Sequence, residues 1–212
     1  MAIIGNTYLW ADFFPDDLIP EILEMVVDVW SSFSKPTINE HEVPITKRFR
    51  ASLEQYKDSR HLPFRIDREV PVDNLDTAEE LGRIDLRLTH GYRSDVYFAL
   101  ECKRLNITDN NGRNSSLAGK YVTEGMMRFV GETPQYARTL AQGGMIGYVM
   151  DGNVNNAIRS VNRQIKTRYV NLSMKSATSL EASTKSSKNL IKQSVHVLPD
   201  KVFTIYHVFL PS

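Results

Sequence analysis

Residues 82–105 read GRIDLRLTHGYRSDVYFALECKRL, and this stretch decides the fold. Apolar residues occupy every second position before and after Gly91, and this alternation is typical of two antiparallel strands joined by a turn. The pattern predicts strands over residues 83–88 and 96–103. The predicted inner face consists of Ile84, Leu86, Leu88, Phe98, Leu100 and Cys102. Cys102 is therefore expected to be a small buried side chain and not a nucleophile.

The opposite face of this hairpin carries three charged residues. Glu101 and Lys103 are two positions apart, so they share one face of a strand and are about 7 Å apart along it. Asp85 lies on the polar face of the preceding strand, and an antiparallel hairpin places it opposite the Glu101 end. Two carboxylates and one ammonium group are thus predicted to converge.

This set of side chains predicts a particular chemistry. Two close carboxylates repel each other unless a cation lies between them, and carboxylate oxygens suit Mg²⁺ or Mn²⁺. A lysine beside that ion can orient or deprotonate a water molecule, or neutralise charge that develops on a phosphate. We therefore predict hydrolysis of a phosphodiester. The alternative interpretation is an exposed ion pair at the edge of a hairpin.

The motif also has a family resemblance. Asp85, followed sixteen residues later by Glu101-Cys102-Lys103, resembles the core of the PD-(D/E)xK, or restriction-endonuclease-like, nuclease superfamily. The resemblance implies an α/β fold with a central mixed β-sheet flanked by helices, in the order α-β-β-β-α-β, over residues 38–150. It also implies that Asp85 and Glu101 hold Mg²⁺ and that Lys103 acts in catalysis.

A further carboxylate is implied by the segment before the hairpin. Residues 39–46, NEHEVPIT, are similar to the helix that supplies an additional metal ligand in many members of the superfamily. We favour Glu42 over Glu40 for this position. One departure from the family pattern is that Ile84, and not proline, precedes Asp85.

The resemblance implies a cytoplasmic, Mg²⁺- or Mn²⁺-dependent nuclease that acts on DNA, as an endonuclease in preference to an exonuclease. The implied settings are restriction, phage defence, mobile-element biology or repair. Cleavage of both DNA strands commonly needs two sites, which is consistent with a homodimer or with a partner subunit of a defence complex. Two alternatives stay open: an RNA nuclease, and a catalytically silent nuclease-fold subunit that binds nucleic acid or a protein partner.

Outside the hairpin, hydrophobic periodicity predicts the other elements of an α/β protein. The predicted helices cover residues 16–32, 43–56, 120–130, 133–141 and 154–169. The further predicted strands cover residues 64–72, 145–150, 195–198 and 202–210. The polar stretches 106–116 and 171–194 are predicted to be loops.

The composition is that of an ordinary globular protein, with 212 residues, 26 basic and 25 acidic side chains and one cysteine. One cysteine excludes an internal disulfide and favours a reducing cytoplasm. No apolar run approaches the ~20 residues that span a bilayer, and Asp12 interrupts the apolar start, so we expect neither a membrane segment nor a signal peptide. We expect one nuclease domain over 1–212, comprising an acidic N-terminal helix (1–36), the core (38–150) and a basic C-terminal part (151–212).

Charge is distributed unevenly along the chain. Residues 1–34 contain six acidic and no basic side chains, whereas residues 155–201 contain nine basic and two acidic ones. A basic segment on a nearly neutral protein predicts contacts with a phosphate backbone, with the Ser-rich loop 171–194 as a mobile arm that orders on DNA. The alternative is a solvated surface that keeps a flexible loop soluble.

The candidate phosphate contacts are Lys120, Arg128, Arg159, Arg163, Lys166 and Lys188. For Lys120 and Arg128, the alternative is pairing with Glu124 at i,i+4 spacing on a solvent-exposed helix face. His196 and His207 fall in the last two predicted strands. No histidine spacing indicates a zinc site, so we interpret these two as hydrogen-bonded sheet residues.

Overall fold

The computed structural model describes residues 14–74, 77–91, 95–108, 111–131, 136, 140–175 and 178–212. At its centre is a seven-stranded mixed β-sheet with helices on both faces, so the predicted α/β class is confirmed. Most of the predicted helix over 133–141 lies outside the described residues. Within the described part of the chain, no helix is both long and apolar enough to span a bilayer.

Apart from the helix over 133–141, the predicted elements occur in the predicted order, and their ends differ from the predicted ones by at most four residues. The short strands β4, β5 and β7, defined below, lie in stretches predicted to be loops. The helices are α1 (Leu18–Ser32), α2 (Glu42–Ser59), α3 (Ala118–Tyr121), α4 (Met127–Val130) and α5 (Val154–Thr167), with a π-helical turn (Val122–Met126) between α3 and α4. The strands are β1 (Phe64–Asp73), β2 (Glu80–His90), β3 (Tyr97–Leu105), β4 (Ile107–Thr108), β5 (Asn114–Ser115), β6 (Gln142–Val149), β7 (Glu181–Ala182), β8 (Ile191–Val197) and β9 (Val202–Pro211).

The sheet, in the order β1-β2-β3-β6-β9-β8-β7, combines antiparallel edges with a parallel centre. β1, β2 and β3 are consecutive antiparallel neighbours, as the predicted hairpin requires. β3, β6 and β9 run parallel, and parallel neighbours need a crossover connection. The helical stretch 118–130 connects β3 to β6, and α5 connects β6 to β9. β4 and β5 form a separate small hairpin inside the stretch predicted to be a loop.

The helices cover the two faces of the sheet and bury two core clusters. α1 and α2 cover one face, where Ile22, Phe49 and Leu100 are buried together. The helices α3, α4 and α5 cover the other face, where Phe129 and Val161 are buried. β3 contributes side chains to both clusters, because successive side chains of a strand point to opposite faces.

The described part of the stretch 171–194 is less open than its polar composition predicts. Leu172 and Ile191 are buried, and β8 begins at Ile191, four residues before the predicted start. The buried side chain of Gln193 accepts hydrogen bonds from the backbone and hydroxyl groups of Thr184. Polar residues that are satisfied in this way hide a strand from a prediction based on apolar alternation. The predicted loop therefore contains the short strand β7 and the start of β8, and part of it packs on the sheet, whereas its ordering on DNA stays a prediction.

The acidic N-terminal helix and the basic C-terminal segment pair with each other. Lys188 Nζ lies 2.7 Å from Glu24 and 2.5 Å from Asp28, both on α1. Lys185 pairs with Asp16, which precedes the same helix. Two of the nine basic residues in 155–201 are therefore paired with acidic residues of the N-terminal part, and Lys188, a predicted phosphate contact, is engaged within the molecule.

Candidate active site

The strands β2 and β3 separate at one end of their pairing. Their antiparallel ladder ends at Leu86. Beyond it, Asp85 Oδ2 accepts a hydrogen bond from the backbone N–H of Cys102 at 2.7 Å. Glu42 Oε2 accepts one from the backbone N–H of Arg104 at 3.0 Å. N–H groups two residues apart point to the same edge of a strand, so the two carboxylates occupy the place that β2 leaves open.

A change of face in the β1–β2 ribbon accompanies this separation. Glu69 of β1, with a left-handed φ of 52°, lies between the residues that pair with Leu86 and Ile84. Leu86 packs in the cluster under α1 and α2, whereas Ile84 packs in the cluster on the other face of the sheet. The prediction that both lie on one face is therefore wrong, because the ribbon twists between them. This twist turns Asp85 toward β3.

The ammonium group of Lys103 lies where three carboxylates converge. Its Nζ is 2.8 Å from Glu101 Oε1, 3.2 Å from Glu42 Oε1 and 3.9 Å from Asp85 Oδ2. It also donates a hydrogen bond to the Cys102 carbonyl at 2.8 Å. Burial alone would lower the pKa of Lys103, but the surrounding carboxylates outweigh burial and raise it above its usual value. In this arrangement Lys103 is a cation and not a base.

Glu101 is fully buried. Besides Lys103, its carboxylate has two partners: Oε1 lies 3.0 Å from Arg128 Nη1, and Oε2 lies 3.3 Å from the hydroxyl of Tyr136. Burial and the neighbouring charge of Asp85 raise the pKa of Glu101 to about 7, against the opposing effect of the two cations. Burial also raises the pKa of Asp85. A further positive charge close to Asp85 and Glu101 would therefore stabilise the ionised form of both carboxyl groups.

Arg128 reaches this cluster from α4. Its Nη1 also donates hydrogen bonds to the Arg83 carbonyl at 3.1 Å and to the Tyr136 hydroxyl at 2.7 Å. The alternative pairing of Arg128 with Glu124 is replaced by the contact with Glu101. The π-helical turn explains this change, because it widens the helix between the two residues and alters their i,i+4 alignment.

Tyr136 is a site residue that the sequence analysis missed. It lies in the stretch predicted as a short helix, and an aromatic residue among polar ones does not distinguish a core position from a site position. Only the contacts with Arg83, Arg128 and Glu101 identify its role.

The chemistry of these side chains fits a divalent cation. When all are ionised, Glu42, Asp85 and Glu101 contribute three negative charges, and Lys103 and Arg128 contribute two positive ones, for a net charge of −1. Carboxylate oxygens are the preferred ligands of Mg²⁺ and Mn²⁺. In the side-chain placement described, the Lys103 ammonium occupies the point of convergence. No group of three or more His, Cys, Asp or Glu side chains among the described residues is arranged to hold a metal ion.

Of the two carboxylates considered before the hairpin, Glu42 belongs to the cluster and Glu40 does not. Glu42 is the first residue of α2, and this position aims its side chain at β3. Glu40 instead pairs with Arg48 at 2.8 Å on the surface. Its backbone carbonyl accepts a hydrogen bond from the side chain of Arg104, which anchors the approach to α2.

The other predicted phosphate contacts lie on the outer surface and not in the carboxylate cluster. Lys120 is mostly exposed, with its Nζ 4.0 Å from Glu124, which matches the alternative interpretation for this residue. Arg159, Arg163 and Lys166 lie on the exposed side of α5. They form a basic strip that is open to a large ligand.

Cys102 is fully buried, as predicted, in the cluster under α1 and α2. The Tyr148 hydroxyl lies 3.5 Å from its Sγ, and burial raises the pKa of the thiol well above its usual value. A thiol in this state is not a nucleophile at neutral pH. The reactive groups of the site are therefore the carboxylate oxygens and side-chain nitrogens around Cys102, and not its thiol.

Comparisons with known proteins add no relative. No protein-family model, no curated protein and no solved structure matches the chain. The geometry of the site is therefore the evidence for what the protein does.

Proposed function

We propose that this protein is a divalent-metal-dependent nuclease with a restriction-endonuclease-like core, and that it hydrolyses phosphodiester bonds in DNA. One observation carries the proposal: Asp85, Glu101, Glu42 and Lys103 converge where β2 leaves β3. The order α2-β1-β2-β3, then α3 and α4, then β6 supports it, because the resemblance implies the same order. A role in restriction, phage defence, mobile-element biology or repair stays a prediction.

Each side chain has a role in this proposal. Asp85 and Glu101 would hold Mg²⁺ or Mn²⁺, and Glu42 would be a further oxygen donor. The ion, when bound, supplies a Lewis acid and lowers the pKa of a bound water. Lys103, displaced as the cation of the cluster, would neutralise charge that develops on the phosphate.

A second candidate is a catalytically silent nuclease-fold subunit that binds nucleic acid or a protein partner. The observation that favours it is the double pairing of Glu101 with Lys103 and Arg128. Such internal cations can hold a carboxylate cluster together without a metal ion. An RNA nuclease would use the same residues, because the metal chemistry is independent of the sugar.

Purified protein with Mg²⁺ or Mn²⁺ tests these candidates against plasmid, linear duplex DNA, single-stranded DNA and RNA. We expect metal-dependent cleavage of DNA, with rates about 10²- to 10³-fold lower for Asp85→Asn and Lys103→Met. Lys120→Met is the matched control, because Lys120 lies on the surface, and it should keep the wild-type rate. Circular dichroism confirms that each variant is folded.

The outcomes separate the candidates. Cleavage of RNA alone would identify an RNA nuclease. A folded protein that cleaves none of the four substrates with either metal would contradict the nuclease proposal and favour the silent subunit. Wild-type activity in Lys103→Met would contradict the role assigned to this lysine.

A further inference from the structure

The outer face of α5 carries three cations in a single row. Arg159, Arg163 and Lys166 are exposed, and their spacings of four and three residues place them on one stripe of the helix, about 10 Å long. Among the described residues, none of the three has an acidic side chain within ion-pair distance. Lys185 and Lys188, which belong to the same basic segment, are instead paired with acidic residues. The three cations, which we name the α5 strip, therefore keep their charge available for an anionic ligand.

An exposed aromatic side chain follows the α5 strip. Tyr169 comes three residues after Lys166 and is 49% exposed. Among the large apolar side chains that are exposed in the described part of the chain, it is the aromatic one. Its ring has no aromatic or cationic partner among the described residues. The face of this ring is therefore open to a ligand.

The turn that carries Tyr169 is fixed by hydrogen bonds. The backbone N–H of Leu172 donates to the Arg168 carbonyl at 3.0 Å, and the N–H of Met174 donates to the Tyr169 carbonyl at 3.1 Å. Leu172 is fully buried, and Met174 forms a β-bridge with His196 of β8. A ring on such a fixed backbone loses little conformational entropy when a ligand packs on it.

A row of cations that ends beside an aromatic ring fits a single strand of nucleic acid. The cations neutralise phosphates, and the ring stacks on a base, since every base has a flat face. In a duplex the bases stack on one another, so the ring adds affinity only where the strand is unpaired. An anionic membrane fits less well, because it binds helices that expose an apolar face. The exposed residues of α5 are all polar, and its apolar residues are buried against the sheet.

We propose that the α5 strip and Tyr169 bind a single-stranded segment of the substrate, with its phosphates on the strip and one base stacked on the Tyr169 ring. This inference rests on the proposed function, in which the substrate is a nucleic acid. The strip meets phosphates of any strand, whereas Tyr169 distinguishes an unpaired strand from a duplex.

This surface is separate from the carboxylate cluster. β6 and β9 run parallel, so α5, which connects them, runs back across the sheet. Ser173, four residues after Tyr169, accepts a hydrogen bond from Val197 at the end of β8, and Val197 pairs with Val202, the first residue of β9. Lys103 instead lies in the C-terminal half of β3, which runs parallel to β6. Tyr169 therefore holds a part of the substrate away from the cleaved bond.

Fluorescence anisotropy of the metal-free protein tests this surface without cleavage. The probe is labelled single-stranded DNA of about twelve nucleotides, within the range that one small binding domain covers. Tyr169→Ala should weaken its binding about tenfold, because a stacked base loses its partner. Tyr169→Phe keeps the ring and should keep the wild-type affinity. An abasic strand of the same length has no base to stack, so wild type and Tyr169→Ala should bind it equally.

The α5 strip has a readout of its own with the same probe. Replacement of Arg159, Arg163 and Lys166 by alanine should make the slope of log K against log salt less steep, by about 0.7 for each single-strand phosphate that is no longer neutralised. Lys188→Ala is the matched control, because its ammonium group is paired with α1, and it should keep the wild-type slope. All these positions lie on the surface, and circular dichroism confirms that each variant is folded.

An unchanged affinity of Tyr169→Ala for the strand with bases, or an equal loss on the abasic strand, would overturn the proposal. An unchanged salt slope in the triple variant would overturn it as well. Sedimentation with phosphatidylserine-containing vesicles that Tyr169→Ala abolishes, while single-strand binding is unchanged, would identify a membrane contact instead. The nuclease proposal fails separately: a protein that shows the expected binding and cleaves no nucleic acid would keep this surface and contradict the nuclease.

Discussion

At the scale of single residues, Glu101 is the most deeply buried of the three carboxylates in the candidate site. A carboxylate removed from water is unfavourable unless cations and hydrogen-bond donors surround it. Lys103, Arg128 and Tyr136 provide these partners and come from two separate elements and a connecting segment. Loss of any one of them therefore affects stability as well as chemistry.

Replacement of Arg128 tests this account. We expect Arg128→Met to lower the free energy of unfolding by about 1–3 kcal/mol at neutral pH, because buried Glu101 loses a charged hydrogen-bond donor. Urea denaturation measures the change. Lys120→Met, in the same helical stretch but on the surface, should change stability by less than about 0.5 kcal/mol.

The same variant has a second readout. Loss of Arg128 changes the net charge of the ionised cluster from −1 to −2, so a divalent cation should bind more tightly. Mn²⁺ should therefore raise the melting temperature of Arg128→Met by more than it raises that of the wild type. Equal stability and an equal response to Mn²⁺ in both proteins would contradict a counter-ion role for Arg128.

At the scale of elements, β6 packs closely against its neighbours because it has glycines at positions where a larger side chain would collide with them. Hydrophobic periodicity predicts that this strand starts at residue 145, which leaves Gly143 and Gly144 between it and the predicted helix over 133–141. Both lie within β6. A Cβ atom at Gly143 would lie 2.5 Å from Cε1 of the Phe129 ring, and one at Gly144 would lie 2.5 Å from Cδ2 of Leu100.

Gly143→Ala should therefore destabilise the protein by about 1–3 kcal/mol, because the buried ring of Phe129 must move. Gly119→Ala is the control: its helical position has no close neighbour, and the nearest contact of a Cβ atom would be at 3.9 Å. It should be neutral or stabilise by up to about 1 kcal/mol. Equal denaturation midpoints for the two variants would contradict the close packing of β6.

A buried hydrogen-bond chain joins β8, β9 and α3. The Tyr121 hydroxyl lies 3.0 Å from His207 Nδ1, and Ser194 Oγ lies 2.9 Å from His207 Nε2 and 2.8 Å from His196 Nε2. His196 Nδ1 lies 2.6 Å from the Leu172 carbonyl, which can only accept. Ser194 then donates to His196 and accepts from His207, and Tyr121 donates to His207. Every group is satisfied when both histidines are neutral, which agrees with the prediction of hydrogen-bonded sheet histidines.

This chain predicts a loss of stability in acid. Burial lowers the pKa of His196 to about 4 and that of His207 well below its usual value, whereas an unfolded histidine titrates near 6.5. The contribution of His196 is therefore complete above pH 6.5 and is lost as the pH falls toward 4, by about 3 kcal/mol. Protonation of Glu101, whose pKa burial raises to about 7, stabilises the fold over the same pH range, so the histidine contribution is measured as a difference between two proteins. Urea denaturation at pH 7.5 and 4.5 should show the stability difference between wild type and His196→Gln shrinking by about 3 kcal/mol at the lower pH. The difference between wild type and His41→Gln, at an exposed position, should not change, and an equally constant difference for His196→Gln would contradict the neutral chain.

At the scale of the whole molecule, five basic residues of the segment 155–201 differ in what surrounds them. Lys185 and Lys188 pair with α1 and its approach, so their charges act within the fold. The α5 strip of Arg159, Arg163 and Lys166 is exposed and faces solvent. Of these five residues, the three on α5 are the ones whose charges are open to a phosphate backbone.

Salt dependence of duplex binding separates these groups. The measurement uses Lys103→Met protein, which should bind DNA without cutting it. In this protein, replacement of all three α5 residues by alanine should make the slope of log K against log salt less steep, by about 0.9 for each phosphate that is no longer neutralised. Lys188→Ala should leave the slope unchanged. An unchanged slope in the triple variant would identify the α5 strip as ordinary solvated surface.

The sequence by itself determined the α/β class and the β2–β3 hairpin, and it predicted that Asp85, Glu101 and Lys103 meet. The first two features depend on periodicity within single strands and on one short turn, so local patterns are sufficient to predict them. The position of Asp85 beside β3 also depends on the twist of the β1–β2 ribbon, which periodicity does not predict. The choice of Glu42 over Glu40 was also correct as to position, through the resemblance and not through the local pattern.

Only the tertiary structure decided that Glu101 is fully buried, that Arg128 and Tyr136 hold it, and that β2 turns away from β3 at Asp85. It also decided that Lys188 pairs with Asp28, 160 residues earlier in the chain. Such contacts join residues that are distant in sequence. Their formation depends on which elements pack together, and neither periodicity nor motif spacing contains that information.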